Sequence, residues 1–224
     1  MANDACTEER FLLDTAKHEM TIVKDDGVHR YIRFRRPGSS AYSFDLVTYP
    51  GYLVMSGDMG TYVFSRLPDM FEFFRTDREY NERKGRKLSI NQGYWAEKMV
   101  AVDSNGSHTS GCKKYDQALM EAVIKEQRLE WIRERNVDKE QRRELWESLG
   151  VLLDELNGDE GHDYHLVNDW TWTPFGHDHR HAGHCQFDEL YDHNFKEYTF
   201  HFIWACYAIA WGVKTYDASK VEVA

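Results

Sequence analysis

A chain of 224 residues with 42% hydrophobic and 14% aromatic side chains carries enough apolar material for a core of ordinary size. Its 7 Trp, 13 Tyr and 12 Phe exclude intrinsic disorder, which requires a chain poor in such groups. With 38 acidic against 28 basic side chains the formal charge is −10, which excludes general attraction to a phosphate backbone and favours basic partners.

From Met20 to Phe64 the residues are β-branched and aromatic, with turn signals at Asp26-Gly27, Pro37-Gly38, Pro50-Gly51 and Gly57-Asp58-Met59-Gly60. This pattern predicts an antiparallel meander of about four strands over residues 20–64. Within it Val28, Ile32 and Phe34 share one face while His29, Tyr31, Arg33 and Arg35 share the other. The two Pro-Gly pairs suit type II turns, because proline presets the first central φ and glycine accepts the positive second one. At Leu67-Pro68-Asp69 the pattern changes, and a helix is expected through Met70, Phe71, Phe73 and Phe74. Thr76 to Lys87 is charge-rich and reads as an exposed connection, followed by a short helix around Tyr94 to Val100. Ser104 to Gly111 is small and polar and reads as a loop.

A charged helical hairpin comes next. Asp116 to Arg135 is expected to be helical with Leu119, Val123, Leu129 and Ile132 on one side. Asp138 to Leu156 places Leu145, Leu149, Leu152, Leu153 and Leu156 at the 3.6-residue period, closed by Asn157-Gly158. Gly158 to Gly183, rich in Gly, His, Asp and Trp, shows no clear period and reads as a long irregular segment. A long helix is expected from about Phe187 to Tyr216, apolar all round in its second half and so buried. Tyr198 to Val213 is its uncharged stretch; at 16 residues it is shorter than the ~20 a membrane span needs. The expected architecture is α+β: the N-terminal meander packed on several α-helices over residues 67–216, in a single domain spanning 1–224, with a long buried C-terminal helix.

The four cysteines, Cys6, Cys112, Cys185 and Cys206, form no CxxC pair, so reduced thiols are expected. Met1 to Arg10 is acidic and lacks the basic segment and apolar run of a secretory signal, which points to a cytoplasmic protein without membrane contact.

Two constellations could carry chemistry. Eight of the eleven histidines follow position 160, and His177, His179, His181 and His184 fall within nine residues. Neutral imidazoles are the commonest zinc ligands, and alternation would set the first three on one side of an extended segment, so a divalent metal such as zinc is the candidate cofactor. The competing reading is a polar loop in water with no cofactor. The second constellation is Glu189, His193, Glu197 and His201, which recur every four residues and would share a stripe of the terminal helix. No nucleophile elbow, Walker loop, dinucleotide fingerprint or HExxH motif is present, which lowers the odds of a common enzyme class. The basic groups at Arg33, Arg35 and Arg36 and from Arg75 to Lys87 are interleaved with acids, so direct nucleic-acid binding is not expected.

The segment SFDLVTYPGYLVMSGDMGTYVFSRLPDMFEFFR (Ser43 to Arg75), with LSINQGYWAEKMVAV from Leu88 and EYTFHFIWACYAIAWGVKTYD from Glu197, resembles a group of uncharacterised proteins encoded by bacteriophages and prophages. The resemblance covers somewhat under half the chain and transfers no catalytic or binding residue. It implies a phage accessory protein in the cytoplasm of a host bacterium. Such a protein would bind a host protein or complex, including as a counter-defence inhibitor of the anti-CRISPR kind, and an acidic surface suits that role. The alternative function is a metal-dependent hydrolase or nuclease built on the histidine-rich loop.

Overall fold

The computed structural model describes residues 6–75, 83–85, 87–103, 111–134, 137–174 and 183–221. In chain order the described elements are α1 (Glu8–Asp14), β1 (Glu19–Asp26), β2 (His29–Arg35), β3 (Phe44–Tyr49), β4 (Tyr52–Gly57), β5 (Gly60–Ser65), α2 (Met70–Arg75), α3 (Gln92–Glu97), β6 (Met99–Val102), β7 (Lys113–Tyr115), α4 (Gln117–Glu134), α5 (Lys139–Glu155), α6 (Glu160–Asp169), β8 (Thr171–Trp172), β9 (Cys185–Gln186), a 3-10 turn (Leu190–Asp192), β10 (Lys196–Tyr198) and α7 (Phe200–Val221). The class is α+β. Its residues gather into two compact units: Met1–Lys113 with Tyr198–Ala224, and Lys114–Glu197.

The first unit is built on a meander in strict sequential order, β1-β2-β3-β4-β5-β6, all pairs antiparallel. Six strands form it, not about four. Five of them, β1 to β5, occupy the stretch expected to form the meander, where β1, an edge strand exposed along almost its whole length, carries no apolar alternation of its own. The last strand, β6, has only four residues and joins β5 from across α2 and α3. Both Pro-Gly turns carry the expected left-handed glycine, with φ of +73° at Gly38 and +85° at Gly51.

Inward-facing Ile32, Phe34, Phe44, Leu46, Leu53, Met55 and Phe64 are fully buried, as alternation requires. Helix α7 lies on this face. Phe34 and Trp211 ring centroids are 5.3 Å apart, Phe44 and Trp204 5.7 Å, and Tyr62 and Phe202 5.6 Å. A Cβ on Gly212 would stand 2.7 Å from Leu46 Cδ1 and 3.1 Å from Phe34 Cε2, so the missing side chain is what lets helix and sheet approach. Helix α1 adds Phe11 against Trp204 at 5.0 Å. The first of the three inward positions of β2 is not apolar: Arg30 is buried, forms a two-pronged ion pair with Asp69 at 2.8 and 2.9 Å, and lies over the Phe71 ring at 4.6 Å. Asp69 also accepts from the Phe71 N–H at 2.9 Å, fixing the start of α2.

Helix α7 begins at Phe200, thirteen residues after the expected start. Residues from Phe187 onward instead form an irregular stretch, the 3-10 turn and β10. Its apolar half is as expected: Phe202, Trp204, Ala205, Cys206, Ala208, Ile209 and Val213 are buried. Among the described residues no helix is long and apolar enough to cross a membrane.

The second unit is helical. α5 starts from a capping box: Asp138 accepts from the Glu140 and Gln141 N–H groups, and Gln141 accepts from the Asp138 N–H. Leu145, Leu149 and Leu152 point inward as the period predicts, meeting Met120, Ile124 and Trp131 of α4 and Val167 of α6 in one cluster. The buried face of α4 is therefore one residue out from the expected Leu119, Val123 and Ile132, which are only partly buried, while Leu129 is exposed. Part of the stretch read as irregular is helix α6, begun by Asp159 accepting from the His162 N–H at 2.8 Å. The expected connection at Thr76 to Lys87 and loop at Ser104 to Gly111 lie largely outside the described residues.

Candidate functional site

Of the four loop histidines, His177, His179 and His181 lie outside the described residues. His184 precedes β9, with Nδ1 2.8 Å from Thr173 Oγ1 and Nε2 3.3 Å from Gln186 Oε1, so both ring nitrogens have protein partners. Among the described residues no group of three His, Cys, Asp or Glu side chains could hold a metal ion.

The second constellation does not share a helical stripe. Glu189 sits in a left-handed conformation at φ +58°, His193 follows the 3-10 turn, Glu197 is on β10, and only His201 belongs to α7. Four-residue spacing produces one face only where the helix is continuous, and here Asn194 and Thr199 punctuate the run: Asn194 accepts from the Lys196 N–H, and Thr199 accepts from the Phe202 N–H at the start of α7.

Charge distribution is the feature that composition hides. Residues 114–197 contain 20 acidic and 10 basic side chains, a net of −10 that equals the charge of the whole chain. The remaining 140 residues hold 18 of each sign and are formally neutral. Several of the basic groups in the acidic unit are engaged within it: Lys125 with Glu121 at 2.7 Å, Arg143 with Glu147 at 3.3 Å, Lys196 with Glu160 at 2.8 Å, and Arg128 over the Trp146 ring at 3.6 Å.

On this unit α5 and α6 form a groove of about 740 Å³. Val151, Leu152, Leu166 and Trp170 supply its apolar floor and Glu155, Asp169, His162 and His165 its polar rim. Trp170 is held by its Nε1–H donating to Ser148 Oγ at 3.3 Å and by stacking on Trp131 at 5.7 Å. Val151, at 57% exposure, leaves an aliphatic side chain open to water near the C-terminal end of α5. A second depression of about 370 Å³ lies beside α4, where Glu130, Asp188, Glu189 and Asp192 concentrate negative charge.

One buried carboxylate, Asp163, gathers hydrogen bonds at the α5–α6 corner. Asp163 has no exposed surface and accepts from the N–H groups of Asn157 at 2.9 Å and Gly158 at 3.1 Å and from the Tyr115 hydroxyl at 3.0 Å; His162 Nδ1 lies 3.2 Å away. Burial pushes its pKa up, but these donors outweigh burial and hold the carboxyl below the usual range. Burial, with Asp163 beside it, raises the Tyr115 phenol. Asp163 ties the α5–α6 corner to the chain before α4. The sequence offered a signal for this: an acid one turn into a helix, following Asn-Gly, can fold back on the N–H groups preceding it.

Comparison with protein-family models, with curated proteins and with solved structures finds no match.

Proposed function

We propose that this protein is a phage-type accessory protein that binds a basic surface of a host bacterial protein or complex through its acidic helical unit, residues 114–197, with counter-defence inhibition as the biological setting. The observation that carries this reading is the confinement of the whole net charge to that unit. A unit of charge −10 attracts a cationic partner, raising encounter rates, and opposes association with anionic surfaces. The resemblance of the meander, the short helix after it and the terminal helix to phage-encoded proteins supports the setting. A location in the host cytoplasm and a lack of direct nucleic-acid binding belong to the same proposal.

The test is retention of a host protein on the immobilised full chain. A stoichiometric partner is expected at about 50 mM salt, released near 500 mM as screening shortens the reach of surface charge. It should be lost when Glu144, Glu147 and Asp154, all exposed on α5, are replaced by lysine. Repeated failure to recover any stoichiometric protein from the wild-type column refutes the reading.

A further inference from the structure

Resting on that reading, we infer that the α5–α6 groove docks a single amphipathic helix of the partner, apolar on the face it buries and basic along its flanks.

The two walls of the groove have the same spacing. Ser148, Val151, Leu152 and Glu155 line it from α5, and His162, His165, Leu166 and Asp169 line it from α6. Each set follows i, i+3, i+4, i+7, the stripe that one face of a helix presents. Each wall is therefore about 10.5 Å long, two turns at ~1.5 Å per residue. Two such stripes side by side form a trough for a third helix whose own apolar side chains repeat at the same interval. A flat or extended ligand would use this periodicity poorly, whereas a helix matches it on both sides.

The flanks select charge. Glu155 and Asp169 close the two stripes, each at the i+7 position of its helix, and both are exposed. The unit around them carries −10, so a helix with lysine or arginine beside its apolar stripe meets opposite charge along its length. A second copy of this chain is disfavoured by the same argument, since two like surfaces of that charge would face each other. The apolar floor supplies affinity that charge alone does not: Val151 is exposed, and covering it removes aliphatic surface from water.

The experiment titrates the full chain into a fluorescein-labelled peptide of eighteen leucines and lysines, with leucine at i, i+3, i+4 and i+7, and reads fluorescence anisotropy. A scrambled peptide of the same composition and a leucine–glutamate peptide of the same pattern serve as controls. The patterned basic peptide should bind at least tenfold more tightly than either. Val151→Lys and the pair Glu155→Lys with Asp169→Lys should each weaken it at least tenfold, at unchanged circular dichroism and thermal midpoint. Equal binding of patterned and scrambled basic peptides, or an unaffected V151K, overturns the groove while leaving the acidic unit as a general cation-binding surface. Binding of no basic peptide overturns both. A wild-type dimer in sedimentation that V151K dissolves would make a second copy the occupant and overturn the proposal.

Discussion

The Tyr115 hydroxyl donates to Asp163 at 3.0 Å, joining the residue that precedes α4 to a carboxylate with no exposed surface at the α5–α6 corner. Removing one end of this bond strands the other. Tyr115→Phe deletes one charge-assisted hydrogen bond and should cost about 1.5–3 kcal/mol. Asp163→Ala also strands the Asn157 and Gly158 N–H groups and should cost more than Tyr115→Phe. Urea unfolding at neutral pH measures both, and an Asp163→Ala variant as stable as wild type would remove Asp163 from this role.

Acid should act through the same carboxyl. Its folded pKa lies below the unfolded value of about 3.9. The unfolded chain therefore takes up the proton more readily. The stabilisation is complete above the unfolded pKa and is lost as pH falls through the folded one. Asp25 and Asp69 of the sheet unit are lowered in the same direction and contribute with the same sign. In Asp163→Asn the fall of stability below about pH 4 should be shallower than in wild type. Superimposable acid titrations, read by circular dichroism, would contradict this.

In the sheet unit the buried Arg30 pairs with the partly buried Asp69. Replacing Asp69 by alanine leaves a buried guanidinium without its carboxylate and should cost roughly 3 kcal/mol. Adding Arg30→Met to that variant removes the stranded charge and should restore part of the loss, although a second native side chain is gone. A double variant less stable than Asp69→Ala alone would show that the stack of Arg30 on Phe71 outweighs the charge.

Two glycines mark close approaches that alanine should not tolerate. A Cβ at Gly57 would lie 2.1 Å from the Ser43 carbonyl oxygen and 2.7 Å from Phe44 Cα, so β3 and β4 would have to separate. At Gly212 the nearest atom is the end of the Leu46 side chain, which is buried but can turn. Both substitutions should destabilise by about 1–3 kcal/mol, Gly57→Ala the more. Thermal midpoints in the opposite order would argue against the stated contacts.

Glu189 adopts φ +58°, a conformation that costs an L-residue roughly 1 kcal/mol. It also shares its depression with Glu130, Asp188 and Asp192. Glu189→Gly relieves the strain and one like charge together, so it should raise the urea midpoint rather than lower it.

What could be read from the sequence depended on whether a single physical signal dominated each segment. Leu145, Leu149 and Leu152 announce α5 because apolar residues at a constant period have one cheap solution, and Asp138 with Gln141 marks its start. The inward face of β2 is equally plain at Ile32 and Phe34, but Arg30 hides there because its partner Asp69 is 39 residues away. β1 shows only in the Asp26-Gly27 turn that ends it, since a strand exposed along almost its whole length needs no alternation. Helix α6 has no comparable period to announce it: its buried residues are Asp163 and Val167, too few apolar positions to mark a face. The groove could not be foreseen either, because it is a relation between two helices, one of them unrecognised. The stripe read through Glu189, His193, Glu197 and His201 failed because spacing was taken for continuity across a break in the helix.

The sheet unit is assembled from both ends of the chain, and its central helix is made last. At roughly 5–20 residues per second, the 84 residues from 114 to 197 take about 4–17 s to be synthesised before Phe200 is added. Throughout that interval the nascent strands hold Phe34, Phe44 and Leu46 without the helix that will cover them. A polypeptide halted there would be a greasy half-product and a natural client for chaperones, while the acidic insert, already translated in full, could fold ahead of the scaffold that carries it.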